Sequence, residues 1–283
     1  QLRGTAIGAV SLGLSAAIAW GASDFTGGYL SRRTSAYGVV IGSEIFGLLL
    51  LIPLIAITGE PVPPARVWLL GGLAGVFGSI GLVLLYRALA TGQMSIAAPV
   101  SALVGAAIPV VVGMIFQGLP GITAILGIGL ALAAIMLVSY NHTDHIRFNF
   151  STLAQPLGAG AGFGLFFVLL HQAGQDSTFW PIVATRLVSV LLVAAFALKT
   201  RQPWIAGRAY WLPIALIGLL DTSANLFYVI AGQQGRLDFT AVLGSLYPAP
   251  TILLAWLILK ERVSAIQRIG IVVALFAIML IVM

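Results

Sequence analysis

The stretch from Phe179 to Leu198 reads FWPIVATRLVSVLLVAAFAL and decides the class of this protein. It is long enough to cross a bilayer, since a spanning helix needs about 20 apolar residues. Arg186 lies well inside it, although a charge at the centre of a membrane helix costs at least ~2.5 kcal/mol. The stretch therefore predicts a membrane-spanning helix whose charge has a specific task.

The composition of the whole chain agrees with a membrane location. The 283 residues are 60% hydrophobic and 8% charged, whereas a soluble domain carries about 25% charged residues. The 14 Lys and Arg residues stand singly or in pairs between apolar runs, so we interpret them as topology signals and expect no nucleic-acid partner. Cysteine is absent, which excludes disulfides and thiolate metal sites.

Polar breaks rich in Gly, Pro and charge divide the chain into apolar segments. The breaks are short, so no soluble domain is expected and function must lie among the helices. We predict an all-α polytopic membrane protein with ten transmembrane helices, at residues 4–30, 36–58, 67–90, 95–116, 121–140, 152–174, 178–198, 209–231, 239–259 and 264–283.

The second half of the chain repeats the first. LLYRALATGQMSIAAPV (84–100) aligns with LFYVIAGQQGRLDFTAV (226–242), and SEIFGLLLLIPL (43–54) aligns with TRLVSVLLVAAF (185–196). We predict one five-helix repeat at 1–140, a connecting loop at 141–151 and a second five-helix repeat at 152–283. Because five is odd, the second copy enters the membrane from the opposite side, the inverted-repeat architecture of alternating-access transporters.

Equivalent loops of the two repeats differ in positive charge, as opposite insertion requires. Arg32 and Arg33 follow the first segment, but the equivalent loop after the sixth carries neither Lys nor Arg. Lys260, Arg262 and Arg268 surround the last loop, whose equivalent after the fourth segment has none. The positive-inside rule then predicts both termini on the side away from the cytoplasm, which would be the periplasmic side of a bacterial inner membrane.

Two further stretches carry a family resemblance. They are WGASDFTGGYL (20–30) and LKERVSAIQRIGIVVALFAIMLIVM (259–283), with Glu261 just before the last helix. Together with the repeat, they make the chain resemble the EamA-type, ten-helix members of the drug/metabolite transporter superfamily, and the bacterial YddG-like amino-acid exporters in particular. FQGLPG (116–121) departs from the pattern, because many relatives carry an acidic residue there.

The resemblance implies a secondary transporter with a central cavity between the repeats, opened alternately to each side. We expect export of small metabolites, most of all amino acids, including aromatic and apolar ones. Export of drugs or other metabolites on the same fold is the alternative. The partners expected are this small-molecule substrate and the lipid bilayer, for a monomer without cofactor or metal.

Arg186 and its repeat equivalent Glu44 each leave two interpretations open. Arg186 is a structural anchor, or it lines the pathway and holds a substrate carboxylate through its planar fork. Glu44 is a gate or ion-pair partner, or it is structural. Each lies roughly 5 Å from the midplane on opposite sides, so a direct salt bridge requires tilt or long side chains.

Other polar residues in the spans are candidates for substrate binding. Asp24 stands where TGG is expected to loosen the first helix, and either binds an amino group or caps a broken helix. Asp221 and Asn225 lie one turn apart, with Ser79 at the position equivalent to Asp221. Asp221 is the best candidate for a protonatable or ammonium-binding group, and an interhelical hydrogen bond is the alternative.

Aromatic and proline residues complete the candidate site. An aromatic lining would suit apolar substrates and ammonium groups, and its candidates are Trp20, Tyr86, Phe163, Tyr228 and Tyr247. An interfacial belt explains aromatic residues at segment ends, such as Trp68, Trp180, Trp204 and Trp211. Prolines inside helices four and nine are either gating kinks or structural bends; they are Pro99, Pro109, Pro248 and Pro250.

A membrane-embedded enzyme and a channel are the rival classes. His142 and His145 in HTDH make a poor metal site, because they lie in a short polar loop with few further ligands nearby. No phosphate-cradling glycine loop with Lys indicates ATP as the energy source. A channel would not need inverted halves with kinked helices. We therefore expect a transporter and no enzymatic activity.

Overall fold

The computed structural model describes residues 2–31, 33–90, 94–139, 150–260 and 264–282, and the regular structure within them is helical. A 3₁₀ turn at Arg208–Tyr210 precedes α8. The helices are α1 (Leu2–Ser31), α2 (Ala36–Thr58), α3 (Ala65–Ala90), α4 (Met94–Gln117), α5 (Ile122–Ser139), α6 (Phe150–Gly174), α7 (Trp180–Lys199), α8 (Trp211–Gln234), α9 (Leu237–Gly244), α10 (Pro248–Leu259) and α11 (Ala265–Val282).

The helices are long and apolar enough for a polytopic membrane protein. Within the described residues seven candidate spans meet both criteria, and two shorter apolar helices, Ile122–Val138 and Ala265–Ile281, accompany them. Large apolar side chains cover the outside of the bundle; Ile57 is 83% exposed and Leu191 is 69% exposed. Such a surface is suited to lipid, so the prediction of an all-α membrane protein is confirmed.

Two local expectations about helix breaks are wrong. The first helix is not loosened at TGG, since α1 continues through Gly27 and Gly28 to Ser31. The ninth predicted segment is instead interrupted, and Pro248 and Pro250 lie in the first turn of α10 rather than inside a kinked helix. Proline lacks the N–H that a helix interior needs, but the first turn leaves that donor unpaired in any case.

The two halves pack as an approximate twofold pair. Helix α3 packs on α6 as α8 packs on α1, and α3 packs on α7 as α8 packs on α2. Helices α5 and α11, which are equivalent in the repeat, pack against each other, as do α2 and α7. If a twofold axis relates the halves, a contact between two helices must recur between the equivalent helices with the halves exchanged, as it does for these pairs. Because each half has five spans, the twofold inverts one half relative to the other.

Equivalent glycines allow a close contact between α5 and α11. A Cβ on Gly127 of α5 would lie 3.0 Å from the carbonyl oxygen of Ala277, and one on Gly270 of α11 would lie 2.7 Å from the backbone nitrogen of Val138. Small residues let helix backbones approach where lipid supplies no hydrophobic driving force. The pair α5–α11 therefore joins the two halves along one side of the bundle.

Candidate functional site

Arg186 forms a double ion pair in the interior of the bundle. Its Nη1 donates to Oε2 of Glu44 at 2.6 Å, and its Nη2 donates to Oδ2 of Asp221 at 2.5 Å. The Arg186 side chain is 2% exposed, while those of Glu44 and Asp221 are 18% and 30% exposed. Helices α2, α7 and α8 are thus joined by one guanidinium, and both prongs of its fork are occupied.

The pair of Glu44 and Arg186 lies at the pseudo-twofold axis. The two residues occupy equivalent positions of the repeat, and a residue can contact its own symmetry equivalent only close to the axis. From the sequence, these two residues are expected on opposite sides of the membrane midplane, so that tilt or long side chains have to bridge the distance. The side chains do meet, because α2 and α7 pack directly and Gly47 leaves room for the guanidinium. A Cβ at Gly47 would lie 2.8 Å from Nε of Arg186.

Hydrogen bonds extend this ion pair on both sides. Ser189, one turn after Arg186, donates to Glu44 at 3.5 Å and accepts from Ser79 of α3 at 3.3 Å. On the other side, Asn225 donates from Nδ2 to Oδ2 of Asp221 at 3.1 Å, as their one-turn spacing suggested. Sequence reasoning missed Ser189, although its spacing from Arg186 on one helix face was a usable signal.

Asp24 adds a third carboxylate near the cluster. It lies on α1 with an exposed side chain, within electrostatic range of Asp221 and of Tyr247. If all groups are ionised, Glu44, Asp221 and Asp24 carry three negative charges against the single positive charge of Arg186. The arrangement therefore favours a ligand that brings positive charge. We refer to these four residues as the axial cluster.

Aromatic rings pack beside the axial cluster. The rings of Trp20 and Tyr228 are 5.7 Å apart, and each contacts Phe167, at 5.4 and 5.2 Å. Tyr228 is fully buried and donates to the backbone oxygen of Phe167 at 3.0 Å. Phe167 escaped sequence reasoning, although it lies one turn after the proposed Phe163.

The remaining aromatic candidates lie elsewhere. Phe163 packs where α6 passes Gly81 and Gly105, one turn before Phe167. Tyr247 stands at the break before α10, close enough to Asp24 to interact with it. The side chain of Tyr86 falls outside the described residues.

Four loops meet at one end of the bundle, which we name the latch face: residues 59–64, 118–121, 175–179 and 235–236. Glu60 accepts from the backbone N–H groups of Thr178 and Phe179, at 2.6 and 3.0 Å, and from the Ser177 hydroxyl at 3.1 Å. A carboxylate at these N–H groups stabilises the start of α7. The loop after α2 is thereby fastened to the loop after α6.

A second cross-link on the latch face joins α4 to α9, and we name it the gate lock. Arg236 donates from Nη2 to Oδ2 of Asp238 at 2.8 Å, from Nη1 to the Gln117 carbonyl at 3.0 Å, and from Nη2 to the Gly118 carbonyl. The Leu237 N–H donates to Oε1 of Gln117 at 2.9 Å. Asp238 is fully buried, and the bonds to Gln117 and Gly118 link the second half to the first at this point.

The other candidates are placed as follows. Pro109 lies inside α4, and the side chain of Pro99 falls outside the described residues, as do His142, His145 and Glu261. Within the described residues no group of three or more His, Asp or Glu side chains is arranged to hold a metal ion. Trp68 and Trp180 pack together near the latch face at 5.3 Å. Trp204 and Trp211 are 43% and 50% exposed.

Comparison with known proteins agrees with this architecture. One solved crystal structure of a protein matches 96% of this chain and 95% of its own chain, with a TM-score of 0.78 and 15% sequence identity. At that identity the match shows the fold alone. A search of curated proteins returns no match. The profile of the EamA-like transporter family matches twice, at residues 7–140 and 152–283. The chain therefore belongs to the EamA-like transporter family and is a membrane transporter of small molecules.

Proposed function

We propose that this transporter exports small metabolites, amino acids in particular, across a bacterial inner membrane by alternating access. The observation that carries the proposal is the grouping of three carboxyl groups, those of Glu44, Asp221 and Asp24, with the single guanidinium of Arg186. A substrate ammonium group would pair with Asp221 and Asp24, whose side chains are the more accessible members. Trp20 is itself buried against Phe167 and Tyr228, whereas the partly buried ring of Tyr247, next to Asp24, would accommodate an aromatic or apolar side chain.

The geometry favours ammonium binding over carboxylate binding by Arg186. Both prongs of the Arg186 fork are occupied by Glu44 and Asp221, so a substrate carboxylate would have to displace one of them. Displacement would leave a poorly solvated carboxylate unpaired, which costs several kcal/mol. Arg186 therefore acts as the anchor of the cluster, and Asp221 as the group that a substrate reaches.

Membrane orientation follows from the charges at the two ends of the bundle. The end opposite the latch face carries Arg33 and the loop 200–210, with Arg201 and Arg208, whereas the latch face carries the paired Arg66 and Arg236 and, at the start of α1, Arg3. The positive-inside rule favours the latch face, and with it both termini, on the periplasmic side. An exporter would then hold its periplasmic side closed in this conformation.

Counterflow of radiolabelled amino acids into liposomes tests the proposal. We expect Asp221→Asn to lower counterflow about tenfold, because the substrate loses one charge-assisted hydrogen bond of ~1.5 kcal/mol. Arg186 keeps its bond to Glu44 in this variant. The matched control is Asp176→Asn, which removes an exposed carboxylate on the latch face. Unchanged counterflow in Asp221→Asn would exclude Asp221 from the site. Accumulation of drugs or other metabolites, but no amino acid, would favour the alternative substrate class.

A further inference from the structure

A cavity of about 480 Å³ opens on the latch face next to the gate lock. Gln117 at the end of α4 contributes from the first half. His171, Gln172, Gln234 and Arg236 are among the residues that contribute from the second half. This volume lies within the range of about 300–1,000 Å³ typical of small-molecule sites. The axial cluster lines no part of it.

His171 forms a buried part of the cavity wall. Its side chain is 3% exposed, and Nδ1 is buried without a hydrogen-bond partner among the described residues. The imidazole lies against Gly232, where a Cβ would collide with Nδ1. Buried polar groups without a partner are uncommon in native proteins. A polar ring held at the wall of an amide-lined cavity is typical of a ligand site.

The wall offers hydrogen bonds but no free charge. Arg236 is the one formally charged side chain among the lining residues, and its partner Asp238 is already bonded to it. The amides of Gln172 and Gln234 make no described hydrogen bond, and Gln117 uses only its oxygen. Amides both donate and accept, so they suit a ligand that does the same.

We infer that this cavity binds a small hydrogen-bonding solute without net charge, which bridges the two halves beside the gate lock. A charged solute would surrender its hydration without an opposite charge to replace it. Because Gln117 and Arg236 separate when the latch face opens, a solute that touches both sides binds the closed state more tightly. Such differential binding stabilises the closed state.

Cysteine labelling tests the site without any transport assay, so its result is independent of the proposed function. The chain contains no cysteine, and Gln172→Cys gives the purified full-length protein a single thiol in the cavity wall. We expect glutaramide, an uncharged diamide that is not an amino acid, to slow maleimide labelling about fourfold at about three times its Kd. The near-isosteric anion glutaramate and the cation of 5-aminopentanamide should slow it less at equal concentration.

Two controls make the test decisive. Leu119→Cys, on the same face and 77% exposed, should label at the same rate with or without solute. Gln117→Glu keeps the oxygen that accepts from the Leu237 N–H but removes the amide donor. In this background the solute should no longer slow maleimide labelling of the cysteine at residue 172. Gln234→Cys repeats the test in case Gln172 itself is an essential partner. Equal slowing by glutaramate, equal slowing at Leu119→Cys, or no slowing at either cavity reporter would overturn the inference.

Discussion

Replacing Arg186 by Met is the sharpest test of the axial cluster. The substitution removes a guanidinium that is 2% exposed and leaves Glu44 and Asp221 without their partner. Breaking a buried ion pair from one side costs ~3–5 kcal/mol. The two carboxylates, about 5 Å apart across the lost guanidinium, add roughly 3 kcal/mol of repulsion at an effective dielectric constant near 20.

Thermal unfolding of the purified protein measures this cost. We expect Arg186→Met to lower the unfolding temperature by at least about 10 °C, taking about 2–4 °C per kcal/mol for a chain of this size. Arg66→Met is the control, since its ion pair with Asp176 is 61% and 39% exposed and is worth less than about 1 kcal/mol.

A triple variant separates charge from packing. Adding Glu44→Gln and Asp221→Asn to Arg186→Met removes the unpaired charges, and we expect it to recover at least half of the lost unfolding temperature. Replacing a whole buried ion cluster by uncharged groups is often close to neutral. The reasoning is refuted if Arg186→Met unfolds like the wild type, or if the triple variant is no more stable than the single one.

Three further substitutions test neighbouring contacts. Gly47→Ala should displace the Arg186 guanidinium and cost about 1–3 kcal/mol in thermal unfolding, whereas a neutral result would contradict the close approach. Glu60→Ala removes the acceptor of two α7 N–H groups and should cost about 1–2 kcal/mol; hydrogen exchange at Thr178 and Phe179 should accelerate, and unchanged exchange would count against the cap. Asp238→Asn should weaken the gate lock. Maleimide should then label a cysteine introduced beside the buried position 238 faster, whereas an unchanged labelling rate would show that the lock does not hold this face closed.

The sequence was sufficient for the architecture because the bilayer imposes few and simple requirements. Apolar length gave the spans within a few residues, and the internal repeat gave the inverted halves. The alignment also placed Glu44 opposite Arg186. Their direct contact was not predicted. The sequence of one helix shows how far a residue lies from the membrane midplane, but whether Glu44 and Arg186 meet depends on how closely α2 packs against α7.

The latch face was beyond sequence reasoning for a related reason. Glu60 and Arg236 stand in polar breaks that are typical of ordinary loops, and both bond to residues more than a hundred positions away in the chain. Likewise, Pro248 can kink a helix or start one. Which of the two occurs depends on whether neighbouring helices hold the preceding turn in place. Here α9 is almost wholly buried, whereas α10 has no buried residue, so the chain breaks between them and Pro248 starts a new helix.

The two repeats are equivalent in backbone but not in the chemistry that closes them. In the alignment Arg236 and Asp238 of the second repeat stand opposite Met94 and Ile96 of the first. The apolar pair cannot form an ion pair, so the equivalent position at the other end of the bundle has no gate lock of this kind. Glu60 adds a second cross-link to the latch face. Among the described residues, the opposite end joins the two halves by neutral hydrogen bonds, from Ser35 to the Pro203 carbonyl and from Tyr210 to the Arg33 carbonyl. The approximately symmetric fold is therefore closed by different side-chain chemistry at its two ends, and a difference of this kind is what lets one conformation be favoured over the other.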